Sequence, residues 1–254
     1  MNIAVQLFTL KKFVQTPEDI AASLKRVKEI GYNAVQVSAV GPIDDQALKG
    51  IADQNGLTIC ATHIPYTQLT ENLEAVIEKH RVWDCSYVGL GSIPPQYRDS
   101  LEGYLTFAQQ ANEIGKRLAD AGLSFIYHNH NFEFTKLNGR LGMDILLEET
   151  DPRFVGFELD MYWVQAGGAD PAEWIRKVKG RMKVAHFKDM MIYPEREQRF
   201  AEVGEGNMNY AAIVEACRST GVEWAAVEQD NCYDKDPFEC LATSYRNLRQ
   251  LGLS

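Results

Sequence analysis

The residues best suited to chemistry in this 254-residue chain are acidic, histidine and lysine side chains that close short apolar runs. Four such runs follow one another in the second half of the sequence, at residues 125–130, 155–160, 182–189 and 225–230. A charged or imidazole side chain at the buried end of a strand costs free energy unless it has a partner. The four endings therefore predict one shared site, with a metal ion as the natural partner.

Asp160, His186 and Glu228 are the expected metal ligands. A mixed oxygen and nitrogen donor set suits one hard or borderline divalent ion, such as Mn²⁺, Mg²⁺, Co²⁺ or Zn²⁺. In the alternative interpretation, Asp160 only caps the following turn, His186 is an ordinary half-buried histidine, and Glu228 pairs with Lys188. Because the three residues end successive predicted strands, the metal site is the favoured interpretation.

These side chains need a scaffold that brings distant strand ends together. Short β-rich runs alternate with amphipathic stretches along the whole chain. The eight predicted strands are residues 3–8, 34–38, 57–62, 87–90, 123–128, 154–160, 182–187 and 224–228. A strand followed by a helix, repeated eight times without a composition break, predicts a single α/β domain over residues 1–254, a (β/α)8 TIM barrel.

The intervening stretches carry helix-end signals. Thr16 and Pro17 are typical of a helix start and Gly31 of its end. The same pattern runs from Asp170 to Gly180, from Asn209 to Gly221 and from Asp236 towards Gly252. The structural alternative is an open doubly wound sheet, but no Gly-x-Gly-x-x-Gly motif follows the first strand.

In a TIM barrel, polar residues at the carboxyl ends of the strands form the active site. Alternate residues of a strand share a face, so the endings supply pairs of side chains. The pairs are His128 with His130, Glu158 with Asp160, His186 with Lys188, and Glu228 with Asp230.

Composition restricts the class of protein. A formal net charge of −9 makes a nucleic-acid partner improbable. No stretch approaches the length of a membrane helix, so no membrane partner is expected. The five cysteines lack paired spacing, which is typical of a reduced cytoplasmic protein, although a trimmed signal peptide is compatible with the sequence.

Other residues are candidates for substrate contacts. His63 ends the third strand and is suited to a hydrogen bond with a sugar hydroxyl. Trp163 follows Asp160 closely enough to pack against a sugar ring. Lys188 suits a substrate carbonyl or acidic group. The glycine-containing loop at residues 203–207 lies where barrels often bind phosphate, but Glu205 would oppose an anion there, which favours an unphosphorylated substrate.

The motifs together resemble a known family. They are Tyr-His-Asn-His-Asn-Phe-Glu-Phe at 127–134, Phe-Glu-Leu-Asp-Met-Tyr-Trp at 157–163, His-Phe-Lys-Asp at 186–189, Val-Gly-Glu-Gly at 203–206 and Val-Glu-Gln-Asp at 227–230. This set is similar to the sugar phosphate isomerase/epimerase family, whose xylose isomerase-like barrels include inosose dehydratases and ketose 3-epimerases. The resemblance spans nearly the whole chain and is densest from residue 123 onward.

The resemblance implies a divalent ion held by Glu, Asp, His and Glu on the last four strands. Asp160, His186 and Glu228 match the last three ligands. The first position departs from the pattern, because this chain has His128 or His130 at the end of strand five, with Glu133 slightly later. Ketose 3-epimerases are thought to use that missing glutamate as one of two opposed bases.

The sequence thus predicts a metal-dependent sugar isomerase or epimerase that abstracts a proton next to the carbonyl of a keto sugar. Expected metal ligands are Asp160, His186, Glu228 and His128. Expected catalytic residues are Glu228, His130 and Lys188. Expected contacts to the sugar or polyol substrate are His63, Glu158, Trp163 and Lys188.

Three alternatives remain open at this level. One is a dehydratase or lyase acting on an inosose or keto sugar, in which His128 or His130 serves as general acid. Another is a sugar-binding barrel without catalysis. A DNA-repair endonuclease would need more histidines and a basic face. Barrels of this kind often pair, so a homodimer is one option for the assembly.

Overall fold

The computed structural model describes residues 1–254 as a ring of parallel strands surrounded by helices. The barrel strands, numbered in chain order, are β1 (Asn2–Gln6), β2 (Ala34–Val37), β3 (Thr58–His63), β4 (Tyr87–Leu90), β5 (Ser124–His128), β6 (Val155–Glu158), β7 (Val184–Phe187) and β8 (Trp224–Val227). Each overlaps one of the eight strands predicted from the sequence.

Neighbouring strands are hydrogen-bonded in the order β6-β5-β4-β3-β2-β1-β8-β7. The ring closes where Asp160, just after β6, forms a parallel bridge with His186 of β7. At this seam the backbone N–H of His186 donates to the carbonyl of Leu159 over 2.9 Å. The closed ring confirms the TIM barrel prediction, and a site residue lies on each side of its last junction.

The helices pack around the strands. They are α1 (Pro17–Ile30), α2 (Asp45–Gln54), α3 (Tyr66–Glu71), α4 (Leu73–Trp83), α5 (Leu101–Asp120), α6 (Gly142–Glu149), α7 (Met161–Ala166), α8 (Pro171–Lys177), α9 (Tyr210–Thr220) and α10 (Pro237–Gln250). Thr16 caps α1 by accepting a hydrogen bond from the Asp19 N–H, as its position predicted. Helix α8 ends three residues before Gly180, earlier than predicted, because Val178 already leaves helical geometry.

The barrel interior consists of an apolar layer followed by a polar one. The apolar layer is built from small or aliphatic side chains: Ala4, Ala34, Cys60, Ala61, Ile126, Val184 and Ala226. Since alternate residues share a face, the residues two positions further along the strands form the next layer. Two positions beyond Ala4, Ala34, Ala61, Ile126, Val184 and Ala226 lie Gln6, Gln36, His63, His128, His186 and Glu228, and Glu158 of β6 lies two positions beyond Gly156. The apolar layer fills the interior of the barrel, and the polar layer lies beyond it at the carboxyl ends of the strands.

Two antiparallel hairpins extend the strand ends: Lys136–Leu137 with Arg140–Leu141, and Asp189–Ile192 with Gln198–Ala201. The second hairpin follows β7 directly, so Lys188 is held between a barrel strand and a hairpin. All five cysteines are buried free thiols. None of the helices has the length and apolar character needed to cross a bilayer.

Candidate active site

The carboxyl ends of β5, β6, β7 and β8 bring four potential ligands together. One atom each of His128, Asp160, His186 and Glu228 lies within 4.8 Å of the other three, and all four residues are buried. His128 Nε2 is 3.4 Å from Asp160 Oδ2, and His186 Nδ1 is 3.0 Å from Glu228 Oε2. The structure therefore places the whole predicted ligand set, including His128 of β5, around one point.

The hydrogen bonds of the two histidines leave nitrogens that suit a cation. His128 Nδ1 donates to the Gly91 carbonyl over 3.1 Å, so Nε2 presents its lone pair to the Asp160 carboxylate. Two acceptors that face each other need a proton or a metal ion between them. His186 Nε2 lies 2.9 Å from Gln36 Oε1, and Nδ1 faces Asp160 and Glu228. Burial opposes the charged form, but Glu158 and Glu228 raise the pKa of His186, so a divalent ion would take the place of the Nδ1 proton. The residues present thus fit a divalent ion.

The carboxylates of the cluster are strongly anionic. Burial by itself raises the pKa of Glu228, but attraction from Lys188 and His186 outweighs burial and holds that pKa below its usual value. Asp160 behaves alike: burial opposes ionisation, and the Lys188 ammonium more than offsets it, so the pKa lies well below the usual value. Both groups stay ionised near neutrality, as metal ligation requires.

Lys188 supplies an internal cation to the same carboxylates. Its Nζ lies 3.0 Å from Asp160 Oδ2, 2.7 Å from Glu228 Oε2 and 2.8 Å from Asp230 Oδ1, and the side chain is 1% exposed. Burial disfavours the charged form, yet Asp160 and Glu228 raise the pKa of Lys188 above its usual value. Lys188 is therefore an ammonium that can donate hydrogen bonds but cannot serve as a base.

Asp160 and Glu228 also make the contacts of the alternative interpretation. Asp160 Oδ1 caps α7 by accepting from the Trp163 N–H over 3.0 Å, and Glu228 pairs with Lys188. For Asp160 the cap uses Oδ1 and leaves Oδ2 towards His128. For Glu228 the pair with Lys188 uses Oε2, the oxygen that also faces His186.

Glu158 lies beneath the ligand cluster in the polar layer. Its carboxylate is 2.6 Å from His63 Nε2 and 3.3 Å from His186 Nε2, and it accepts from Gln36 Nε2 over 2.9 Å. The sequence assigned Glu158 to substrate contact, but the structure places it below the cavity, where it is completely buried. Its direct contacts make it a support for His63 and His186.

His130 and Trp163 form an aromatic wall next to the cluster. Their ring centroids are 5.3 Å apart, and the Lys188 ammonium lies 5.6 Å from the Trp163 ring. His130 lines the cavity, whereas Trp163, which was predicted to contact the substrate, is not among the lining residues. Burial lowers the pKa of His130 to about 3, so its ring is neutral near pH 7. His130 Nδ1 and Trp163 Nε1 are buried without a hydrogen-bond partner in the protein.

A cavity of about 700 Å³ opens above the cluster, a volume within the ordinary range for small-molecule sites. His63, His128, His130, Lys188 and Glu228 line it among the residues predicted from the sequence. Asp230 and Arg98 line it as well, although no role was predicted for either. Strand alternation paired Asp230 with Glu228 and was the available signal for Asp230. Arg98 follows β4 on a loop whose course the sequence pattern does not indicate.

The glycine-containing loop after β7 holds an internal anion. The Asp189 carboxylate accepts hydrogen bonds from the backbone N–H groups of Gly204 and Gly206 at 2.9 and 3.2 Å. A Cβ at Gly206 would lie 2.3 Å from Asp189 Oδ1, so the close approach requires glycine. These amides bind a side chain of the chain itself, in the region where barrels often bind phosphate.

Comparisons with known proteins agree with this architecture. The family model described as "Xylose isomerase-like TIM barrel" matches residues 24–251. An inosose dehydratase from Lacticaseibacillus casei is 24% identical over 82% of this chain and 82% of its own length. A sugar phosphate isomerase/epimerase from Parabacteroides distasonis superposes with a TM-score of 0.83 at 23% identity over 98% of both chains.

A solved L-ribulose 3-epimerase also superposes, with a TM-score of 0.76 at 16% identity over 99% of this chain and 94% of the other. At such identities the solved structures show the fold, and the family model covers most of the sequence. The chain belongs to the xylose isomerase-like TIM barrel family, whose members of the isomerase, epimerase and dehydratase kinds are enzymes.

Proposed function

We propose that this protein is a divalent-metal-dependent dehydratase of a keto sugar or inosose. It removes a proton next to the carbonyl and then expels a β-hydroxyl group as water. The observation that carries this proposal is the unequal distribution of bases around the cavity. Strand β8 leads to the carboxylates of Glu228 and Asp230, whereas β5 leads to the imidazoles of His128 and His130.

Asp160, His186, Glu228 and His128 are the residues that would hold the ion. When bound, a divalent ion supplies Lewis-acid stabilisation of the negative charge that develops on the substrate carbonyl oxygen. Of these four residues, His128 and Glu228 line the cavity, so a substrate bound there would lie next to them.

Glu228 is the base. Its Oε2 is held by His186 and Lys188, while Oε1 makes no hydrogen bond within the protein. Oε1 can therefore accept the proton of the carbon beside the carbonyl. The electron pair of that C–H bond forms a carbon–carbon double bond as the β-carbon–oxygen bond breaks. The hydroxyl group leaves as water by taking the proton that Glu228 has accepted, which returns Glu228 to the carboxylate.

Lys188 and His130 orient the substrate. Lys188 Nζ lies 2.7 Å from Glu228 Oε2. A substrate carbonyl held next to Glu228 is therefore within reach of a hydrogen bond from the Lys188 ammonium. His130 is neutral, so we assign it a hydrogen bond to a substrate hydroxyl instead of the role of general acid. His63 lines the same cavity and offers a second hydroxyl contact.

The single-sided base favours elimination over epimerisation. Epimerisation needs a second proton-transfer group on the opposite face of the substrate. Burial lowers the pKa of His128, and its Nδ1 proton already binds the Gly91 carbonyl, which makes it a poor partner for that step. The similarity to an inosose dehydratase from Lacticaseibacillus casei supports the same choice.

Isomerisation is the second candidate, because one base can move a proton between adjacent carbons on a single face. Both reactions are tested by incubating the Mn²⁺-loaded protein with keto sugars and inososes in D₂O. We expect a product lighter than the substrate by one water. An isomer of unchanged formula carrying deuterium would support isomerisation instead. Failure of every substrate to exchange or react would contradict both candidates and leave a binding protein.

A further inference from the structure

The cavity is lined by one cationic side chain that forms no ion pair with an acidic residue. Arg98, in the segment between β4 and α5, lines the same space as Glu228 and Lys188. Lys188 is paired with three carboxylates, but the Arg98 guanidinium forms no ion pair. A cation left unpaired beside a cavity is suited to an anionic ligand.

The protein fixes one edge of this guanidinium and leaves the other free. Arg98 Nε donates to the Ile93 carbonyl over 2.7 Å, and Nη2 donates to Ser92 Oγ over 2.8 Å. These two bonds use the fork formed by Nε and Nη2. The end-on fork, formed by Nη1 and the second hydrogen of Nη2, has no partner in the protein. Such a fork matches two oxygens of a carboxylate or phosphate.

Aromatic packing holds the group in place between the rim and the metal cluster. The guanidinium carbon of Arg98 lies 4.4 Å from the centroid of the Phe132 ring. Phe132 stacks on His130 with ring centroids 5.3 Å apart, and His130 contacts His128 at 5.0 Å. Arg98 is thus connected to the ligand cluster by successive ring contacts along one wall.

Burial raises the pKa of the Glu133 carboxylate, and the positive charge of Arg98 opposes that rise, but the two side chains form no ion pair. Glu133 accepts hydrogen bonds from the Tyr127 hydroxyl and from the His130 backbone N–H over 2.8 Å. Its oxygens are therefore directed to those two groups. The loop amides near residue 204, the other place where an anion would be expected, already bind Asp189. Arg98 is thus the cation in the cavity lining that has no ion-pair partner.

We infer that the substrate is an acidic polyol, whose carboxylate or phosphate binds the end-on edge of Arg98. The inference rests on the proposed function, since it places the carbonyl of that same molecule at Glu228 and Lys188. It narrows the substrate class from neutral keto sugars to those with an anionic group on the end remote from the reacting carbons.

Binding without turnover tests the inference by calorimetry on the full chain. Gluconate supplies a carboxylate, glucose 6-phosphate a phosphate, and glucose the neutral reference. Wild type should bind at least one acid about tenfold or more tightly than glucose, and the stronger acid identifies the anionic group. Arg98→Met should reduce that affinity roughly 10- to 100-fold, the cost of losing a charge-assisted bidentate contact. Equal binding of all three compounds to wild type would overturn the inference.

Two further variants separate a specific contact from a general effect. Arg98→Lys keeps the positive charge but loses the fork, so most of the acid affinity should still be lost. Arg26→Met is the matched control, because Arg26 also packs on a phenylalanine ring but lies outside the cavity. It should leave acid binding unchanged. Retained acid binding in Arg98→Met, with wild-type thermal unfolding, would also refute the role of Arg98.

The outcome is distinguishable from that of the proposed function. Arg98-dependent acid binding without proton exchange on any compound would support the anion site and reject the dehydratase. Dehydration of neutral inososes with no preference for acids would support the dehydratase and reject the anion site.

Discussion

The Lys188 ammonium and the Glu228 carboxylate form a buried ion pair, with 2.7 Å between Nζ and Oε2. Lys188 also lies 3.0 Å from Asp160 Oδ2, so two of the expected metal ligands share their oxygens with an internal cation. Attraction to these anions stabilises Lys188, and the same anions would attract a divalent ion. A bound divalent ion would therefore compete with Lys188 for one set of oxygens.

Lys188→Met should tighten metal binding and weaken catalysis. Removal of the ammonium relieves charge repulsion and frees the Asp160 and Glu228 oxygens, so Mn²⁺ affinity should rise by about tenfold or more. The measurement is calorimetric titration of the metal-free protein. Lys235→Met is the control, because Lys235 pairs with Glu202 away from the cluster. An unchanged Mn²⁺ affinity would show that the two cations do not compete.

Glu228→Gln should abolish proton abstraction. The amide keeps the size of the side chain but cannot accept the substrate proton, and general-base catalysis is typically worth about 10²- to 10⁴-fold in rate. Solvent deuterium exchange into the substrate, followed by mass spectrometry, measures that step directly.

A second measurement distinguishes the role of Glu228 as a base from its role as a metal ligand. If Glu228→Gln loses exchange only because it loses the ion, saturating Mn²⁺ should restore the rate. We expect no restoration. Exchange at the wild-type rate in the metal-saturated variant would remove Glu228 from the role of base.

Glu158→Gln should weaken metal binding although Glu158 does not line the cavity. Glu158 lies 3.3 Å from His186 Nε2 and stabilises the orientation that leaves Nδ1 towards the cluster. Loss of such a support typically lowers metal affinity by about 10- to 100-fold. The check is the same Mn²⁺ titration, with Glu202→Gln as a buried carboxylate outside the site. Equal affinities for wild type and Glu158→Gln would contradict the supporting role.

Strand periodicity explains why so much of the fold and the ligand set could be predicted. A parallel strand alternates its faces, so Asp160, His186 and Glu228 follow from the apolar runs that precede them. The depth of a residue within the barrel does not follow from strand periodicity. Glu158 and Asp160 share a face, but only the register of the closed ring decides that Glu158 lies beneath the cavity.

Loops account for what could not be predicted. Arg98 reaches the cavity through hydrogen bonds to Ser92 and Ile93, which involve backbone and hydroxyl groups without a periodic pattern. Asp189 ends the His-Phe-Lys-Asp motif at 186–189, yet only the folded loop shows that its carboxylate accepts hydrogen bonds from the amides of Gly204 and Gly206. Contacts of this kind depend on three-dimensional closure, which local sequence preference does not encode.

Glu133→Gln should make the protein less sensitive to rising pH. Glu133 is completely buried, and burial raises its pKa from 4.5 to about 7. Between these values the folded state binds more protons than the unfolded state, so the free energy of unfolding falls as pH rises. Above pH 7 the buried carboxylate is ionised, and the full free-energy cost of burying its charge lowers the stability of the folded state.

The neutral amide avoids this penalty while it can still bond to Tyr127 and to the His130 N–H. Between pH 5 and pH 8, wild type should lose on the order of 2 kcal/mol relative to Glu133→Gln. Urea unfolding at both pH values gives the difference, with the exposed Glu102→Gln as control. Parallel pH profiles for wild type and Glu133→Gln would show that Glu133 is ionised equally in both states. A wider gap at pH 5 than at pH 8 would reverse the assigned sign.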